Sequence, residues 1–138
     1  MGRKILGFIA GLVLANIVII TSQMISGMIF GMPADLDRND PASMAKYIST
    51  LPITAFIFVL VGYAAGYLFG GFDMQKIARA ASLWLPLILG GLGTLGWMMN
   101  VAMLPHPMWI VVLGFLCFIP FAILGHKLAG GRPSEVSV

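Results

Sequence analysis

The sequence predicts an all-α membrane protein, a bundle of four transmembrane helices. Three observations carry this expectation. Of the 138 residues 59% are hydrophobic and only 9% charged, whereas a soluble domain carries about 25% charged residues because its surface must face water. Four apolar stretches each reach the roughly 20 residues that a helix needs to cross a hydrocarbon core about 30 Å thick. None of the four contains Asp, Glu, Lys or Arg.

The first span is expected from Ile5 to about Ile29, behind Arg3 and Lys4. Its basic start is that of a secretory signal, yet the apolar run is too long for a signal core and no A-x-A-like cleavage site follows. N-myristoylation is also excluded, because position 6 is Leu6 rather than Ser or Thr. The second span is expected from Ile48 to about Phe69, the third from Leu83 to about Leu104, and the fourth from Met108 to about Leu124. Hydrocarbon offers no partner to backbone N–H and C=O groups, so each span must close its hydrogen bonds internally as a helix. The period-two alternation of a transmembrane β-barrel is absent. The spans form one domain over residues 1–128, and residues 129–138 are expected to be a flexible cytoplasmic tail.

The connections carry the punctuation. Asp40 is a good N-cap and Pro41 a good first helical residue. Met44, Tyr47, Ile48 and Leu51 then share a face, so a short helix is expected at the membrane interface before Pro52 starts or kinks the second span. Gly70 and Gly71 are expected to end that span, and Asp73 to cap a cytoplasmic extension of the third helix. "MLPHPMW" reads as a tight hairpin, with Trp84 and Trp109 near opposite interfaces. Arg3, Lys4, Lys76, Arg79, Lys127 and Arg132 fall on one side; the other receives only Arg38 and Lys46, offset by Asp35, Asp37 and Asp40. The positive-inside rule then places both termini in the cytoplasm.

Glycine dominates the spans. Gly62, Gly66 and Gly70 repeat every four residues in the second; Gly7 with Gly11, and Gly27 with Gly31, do so in the first; the third carries "LGGLGTLGW". Small residues on one face let two backbones approach closely, where dispersion rather than the hydrophobic effect holds helices together. Such rows are expected first to pack helices within the chain, with a subunit interface as the alternative; in a small bundle both can hold at once. Buried polar groups add a second constraint. Asn16 and Thr94 fall near mid-membrane, and Gln23, Thr54 and Asn100 in the exterior half. An unpaired amide in hydrocarbon costs several kcal/mol. These groups are therefore expected either to line one exterior-facing pocket, with His106 of the hairpin, or to join helices to one another.

Chemistry is sparse. Soft thioethers and imidazole suit Cu(I), and Met24, Met28, Met32, Met98, Met99, Met103 and Met108 lie in the exterior half with His106. Methionine also fills irregular apolar gaps, and a row at four-residue spacing is what any helical stripe produces. Of these, Met24, Met28, Met103 and His106 form the weak metal alternative to a site with no metal. Asp35, Asp37 and Asn39 match the first, third and fifth places of a calcium loop, but Asp40 stands where Gly is needed and Lys46 where Glu is needed. Proton-coupled carriers place an ionisable group in the membrane, and none stands in these spans. The single cysteine, Cys117, excludes an internal disulfide. The basic residues form no stripe for nucleic acid. No catalytic set and no cofactor are expected.

The segments "LDRNDPASMAKYISTLPITAFIFVLVGYAAGYLFGG" and "MLPHPMWIVVLGFLCFIPFAILG" resemble an uncharacterised family of small four-span bacterial inner-membrane proteins. The resemblance rests on the Asp-Pro start of the short helix, the Leu-Pro step into the second span, the glycine-rich stretch at its end and the Pro-His-Pro hairpin. It implies a bacterial inner-membrane setting and supplies no activity. In that family a Glu and a His are expected late in the first span; here Gln23 and Gly27 hold those places. The expected function is therefore non-enzymatic. The chain sits in the lipid bilayer and acts by helix-mediated assembly, with itself or as a small subunit beside another membrane protein. A small-solute or lipid transporter using the polar pocket is the alternative, and copper handling the second.

Overall fold

The structure, a computed structural model, describes residues 1–131. Residues 132–138, most of the expected tail, lie outside the described residues. The regular structure described is entirely helical: α1 (Gly2–Phe30), α2 (Pro41–Thr50), α3 (Ile53–Ala78), α4 (Trp84–Met103) and α5 (Met108–Leu128). Four of these, all but α2, are long and apolar enough to cross a membrane. The chain is a multi-pass helical membrane protein.

The aspartates before α2 act on the backbone. The Asp40 carboxylate accepts from the N–H groups of Ala42 (3.2 Å) and Ser43 (3.1 Å), and the Asp37 carboxylate accepts from Asn39 N–H at 2.9 Å. Leu51 and Pro52 are extended, since a residue before proline is driven out of the helical region. Ile48 consequently belongs to α2, and the second long helix begins at Ile53 rather than at Ile48.

The end of that helix corrects the sequence reading more strongly. Gly70 and Gly71 do not stop it; α3 runs on to Ala78, and Asp73 lies inside it instead of capping the next helix. Both glycines are pressed against neighbouring backbone. A Cβ on Gly70 would lie 2.6 Å from the Gly11 carbonyl oxygen, and one on Gly71 would overlap the Ala122 carbonyl. They are small because two helices pass there, and an unbroken helix keeps their N–H and C=O groups bonded. Termination falls to Arg79, which takes the left-handed conformation (φ 49°, ψ 41°) and donates its N–H to Gln75 O at 2.8 Å. The turn before α4 is then supported by Ser82 Oγ, which accepts from Trp84 N–H at 3.3 Å.

The helices pack in the order α1, α3, α5, α4, and the two outer members scarcely meet each other. Antiparallel α1 and α3 close on small residues from both sides. Gly7 faces the Met74 carbonyl, Gly11 the Gly70 carbonyl and Gly66 the Ala15 carbonyl, while Gly62 sits against Ser22. The α3–α5 contact repeats this with Gly71 on Ala122 and Gly125 on the backbone of Leu68 and Phe72, and Gly90 of α4 lies on Ile119 of α5. The glycine row of α3 is thus used inside the chain. Gly27 and Gly31 do not share that role: Gly27 meets only the Met32 side chain, and Gly31 ends α1 at a φ of 75° with open space around it.

Replacing Gly70 with Leu is expected to force α1 from α3 and to lower stability by more than about 2 kcal/mol, in the range of overpacked cores. At Gly91 an added Cβ would meet nothing within 4 Å, so substitution by Ala should instead gain about 0.5–1 kcal/mol. Thermal unfolding in detergent measures both.

Candidate functional site

One end of the bundle carries α2 and the α4–α5 hairpin, and a cavity of about 180 Å³ lies beneath them. All five helices contribute to it. Gln23, Ser26 and Gly27 come from α1; Met44 and Tyr47 from α2; Phe56 and Tyr63 from α3; Trp97 and Asn100 from α4; Ile110 from α5. His106 joins them from the hairpin and Met32 from the loop after α1. No Asp, Glu, Lys or Arg lines it. The donors and acceptors are neutral amides, hydroxyls and an imidazole, so the space suits a ligand without net charge.

An aromatic column forms the inner wall. The His106 and Trp97 rings stand edge to face at 5.2 Å between centroids, and Trp97 meets Tyr63 at 5.6 Å. Phe118 continues the column, 5.5 Å from Tyr63 and 5.0 Å from Tyr67. Edge-to-face geometry sets the positive rim of one ring against the negative face of the next. Two hydrogen bonds fix the upper part. Trp97 Nε1–H donates to Val111 O at 3.2 Å, and His106 Nδ1 lies 2.8 Å from Leu104 O. A carbonyl only accepts, so Nδ1 is the donor in this bond.

Glycines make room for these rings. A Cβ on Gly93 would overlap Tyr67, and one on Gly114 would overlap the Trp97 indole. Glycine therefore does two jobs in this chain: most of the packed glycines admit a neighbouring helix, while Gly93 and Gly114 admit aromatic side chains.

The structure sorts the polar residues singled out from the sequence. Gln23, Asn100 and His106 share the cavity with Tyr63. Thr54 is exposed on α3 and does not line it. Thr94 satisfies itself by donating to Gly90 O at 3.0 Å. Asn16 donates to Leu12 O at 2.8 Å and lines a separate cleft of about 300 Å³ between α1 and α4, which Asn100 also touches. Among the methionines, Met24, Met28 and Met103 are exposed on the outside of the bundle, whereas Met32 and Met44 line the cavity with His106. Met32 Sδ accepts from Arg38 Nη2 at 2.9 Å. Cys117 is buried, with its thiol toward Leu113 O at 3.3 Å and Leu60 O at 3.7 Å. The described residues contain no group of three or more His, Cys, Asp and Glu side chains placed to hold a metal.

Sequence reasoning missed Tyr63, Trp97, Phe118 and Ser26, and it placed Tyr47 on the apolar face of the short helix without assigning it to the cavity. The sequence marked the place only through Gly93 and Gly114, which make room for Tyr67, Phe118 and Trp97, and nothing in their spacing sets them apart from Gly91 and Gly96, which face open space. It also missed His126, which is fully buried near the opposite end of the bundle with neither ring nitrogen paired among the described residues. Gly131 N–H donates to the His126 carbonyl at 2.9 Å and packs that residue against the imidazole.

No protein-family model, curated protein or solved structure matches the chain.

Adding a single methyl group through Gly114→Ala is expected to displace the Trp97 indole and break its bond to Val111 O. The near-ultraviolet circular dichroism of the column should fall while the far-ultraviolet helical signal is kept.

Proposed function

We propose that the protein is a non-enzymatic membrane protein that holds a small neutral ligand in the five-helix cavity, as the binding step of carrying or presenting it. One observation carries the reading: every helix supplies a residue to a single space whose lining combines an aromatic wall with neutral hydrogen-bonding groups. Mostly apolar walls with a few placed polar groups characterise ligand sites. The Asn100 amide makes no hydrogen bond to the described residues, and in a low-dielectric site such a group favours a ligand that completes it.

Orientation follows from charge. The packing of Gly7 on Met74 and Gly71 on Ala122 brings the start of α1 and the ends of α3 and α5 to one end. Arg3, Lys4, Lys76, Arg79 and Lys127 accompany them. In this reading that end is cytoplasmic, the cavity opens toward the outside of a bacterial inner membrane, and α2 lies at the outer interface as its cover.

Assembly with itself or with another membrane protein is the second reading. It is favoured by α4, where Gly91 and Gly96 leave small, uncovered positions on the helix surface. Gly7 and Gly11 of α1 and the row of α3 do not argue for it, because they pack against each other's helices.

Native mass spectrometry of the detergent-extracted protein tests the ligand reading. A discrete bound mass is expected, with affinity reduced about tenfold in Asn100→Leu, the loss of one hydrogen bond of about 1.4 kcal/mol. A wild-type protein that always flies empty would remove the reading. A reporter fused after residue 138 is expected to be active only as a cytoplasmic fusion.

A further inference from the structure

We propose that the ligand is a neutral amphiphile that reaches the cavity sideways from the bilayer, through the cleft between α1 and α4. The inference rests on the cavity reading and adds the ligand class and its route.

The first argument is adjacency. Tyr63, Trp97 and Asn100 line both the cleft and the cavity, so the two spaces lie against the same three side chains. The second is size. A cavity of about 180 Å³ is smaller than the roughly 300–1,000 Å³ usual for ligand sites. The adjoining cleft of about 300 Å³ supplies the missing room.

Position and polarity choose the occupant. The cleft lies at the level of Asn16 and Gly93, near the middle of α1 and α4, between the two helices that scarcely pack together. Val13, Ile17 and Ile20 of α1 are more than half exposed around that level (51%, 54% and 55%). In a bilayer this surface is bathed by acyl chains. The walls include Leu12, Ile19 and Leu92, and no Asp, Glu, Lys or Arg lines either space. Polarity instead rises toward the α2 end, where Gln23, Tyr47, Asn100 and His106 gather. An apolar chain laid against Trp97 and Phe118, with an uncharged hydrogen-bonding head at Asn100, matches this gradient.

Gly96 offers a clean obstruction. It lines the cleft, yet a Cβ built on it meets no atom within 4 Å, so a larger side chain can start there without a clash at its base. The measurement uses the full chain with Trp84→Phe and Trp109→Phe, leaving Trp97 as the only indole, in phosphatidylcholine vesicles. The added probe is a monoacylglycerol with a dibrominated chain, and dibrominated phosphatidylcholine serves as the comparison. Bromine quenches an indole only near contact, and Trp97 is just 3% exposed in the bundle.

The monoacylglycerol is expected to quench Trp97 well beyond the phosphatidylcholine. Gly96→Phe should abolish most of that excess, and Asn100→Leu should shift it to higher probe concentrations. Equal, weak quenching by both lipids would overturn the proposal. If a bound mass is nevertheless found by native mass spectrometry, the cavity reading stands and the lateral route alone is wrong. Strong quenching that Gly96→Phe removes but Asn100→Leu leaves unchanged would overturn the assignment of the head to Asn100, and with it the neutral-amphiphile class.

Discussion

The structure depends on backbone-to-backbone contact between α1 and α3. In hydrocarbon no hydrophobic effect drives one helix onto another, so attraction must come from close approach. Gly7, Gly11 and Ala15 on one helix and Gly66 and Gly70 on the other remove the side chains that would hold the axes apart. Dispersion between pairs of atoms is small and falls steeply with a gap of less than an ångström. Only glycine or another small residue lets enough pairs reach contact. Once α1 and α3 are fixed, Gly71 and Gly125 let α5 settle on the other side of α3, and Gly90 seats α4 on α5.

That chain of contacts leaves a gap. Because α4 joins through α5 and not through α1, the outer helices are never drawn together, and a cleft remains between them. The aromatic column keeps it from collapsing. Tyr63, Tyr67, Trp97 and Phe118 fill the centre of the bundle, and Gly93 and Gly114 remove the bulk that would push those rings outward. A rigid ring wall beside a narrow space is a binding surface before any ligand arrives, which lowers the ordering cost of binding.

The polar groups divide by whether the backbone can satisfy them. Thr94 and Asn16 each donate to a carbonyl four residues back on their own helix, so hydrocarbon around them is tolerable. Asn100, Gln23 and His106 are collected in one place because α2 and the Pro105–His106–Pro107 hairpin cap the same end. The methionines follow a similar division: those on the outer faces of α1 and α4 meet lipid, while Met32 and Met44 fill the cavity rim.

The number and approximate extent of the long helices are legible in the chain alone, because hydrocarbon thickness and the need to satisfy every backbone group act on a segment without reference to its neighbours. The Asp40–Pro41 start of α2 is equally legible, being a local bond between a carboxylate and two N–H groups. What each glycine is for emerges only from the packed bundle. Gly70–Gly71 has the form of a helix stop and is a helix crossing; Gly27 and Gly31 keep the spacing of a packing row and face no helix. The grouping of Gln23 and Asn100 apart from Thr54 was hidden for the same reason. Which face of a helix is covered depends on the direction from which another helix arrives, and that direction is set by contacts between residues far apart in the chain.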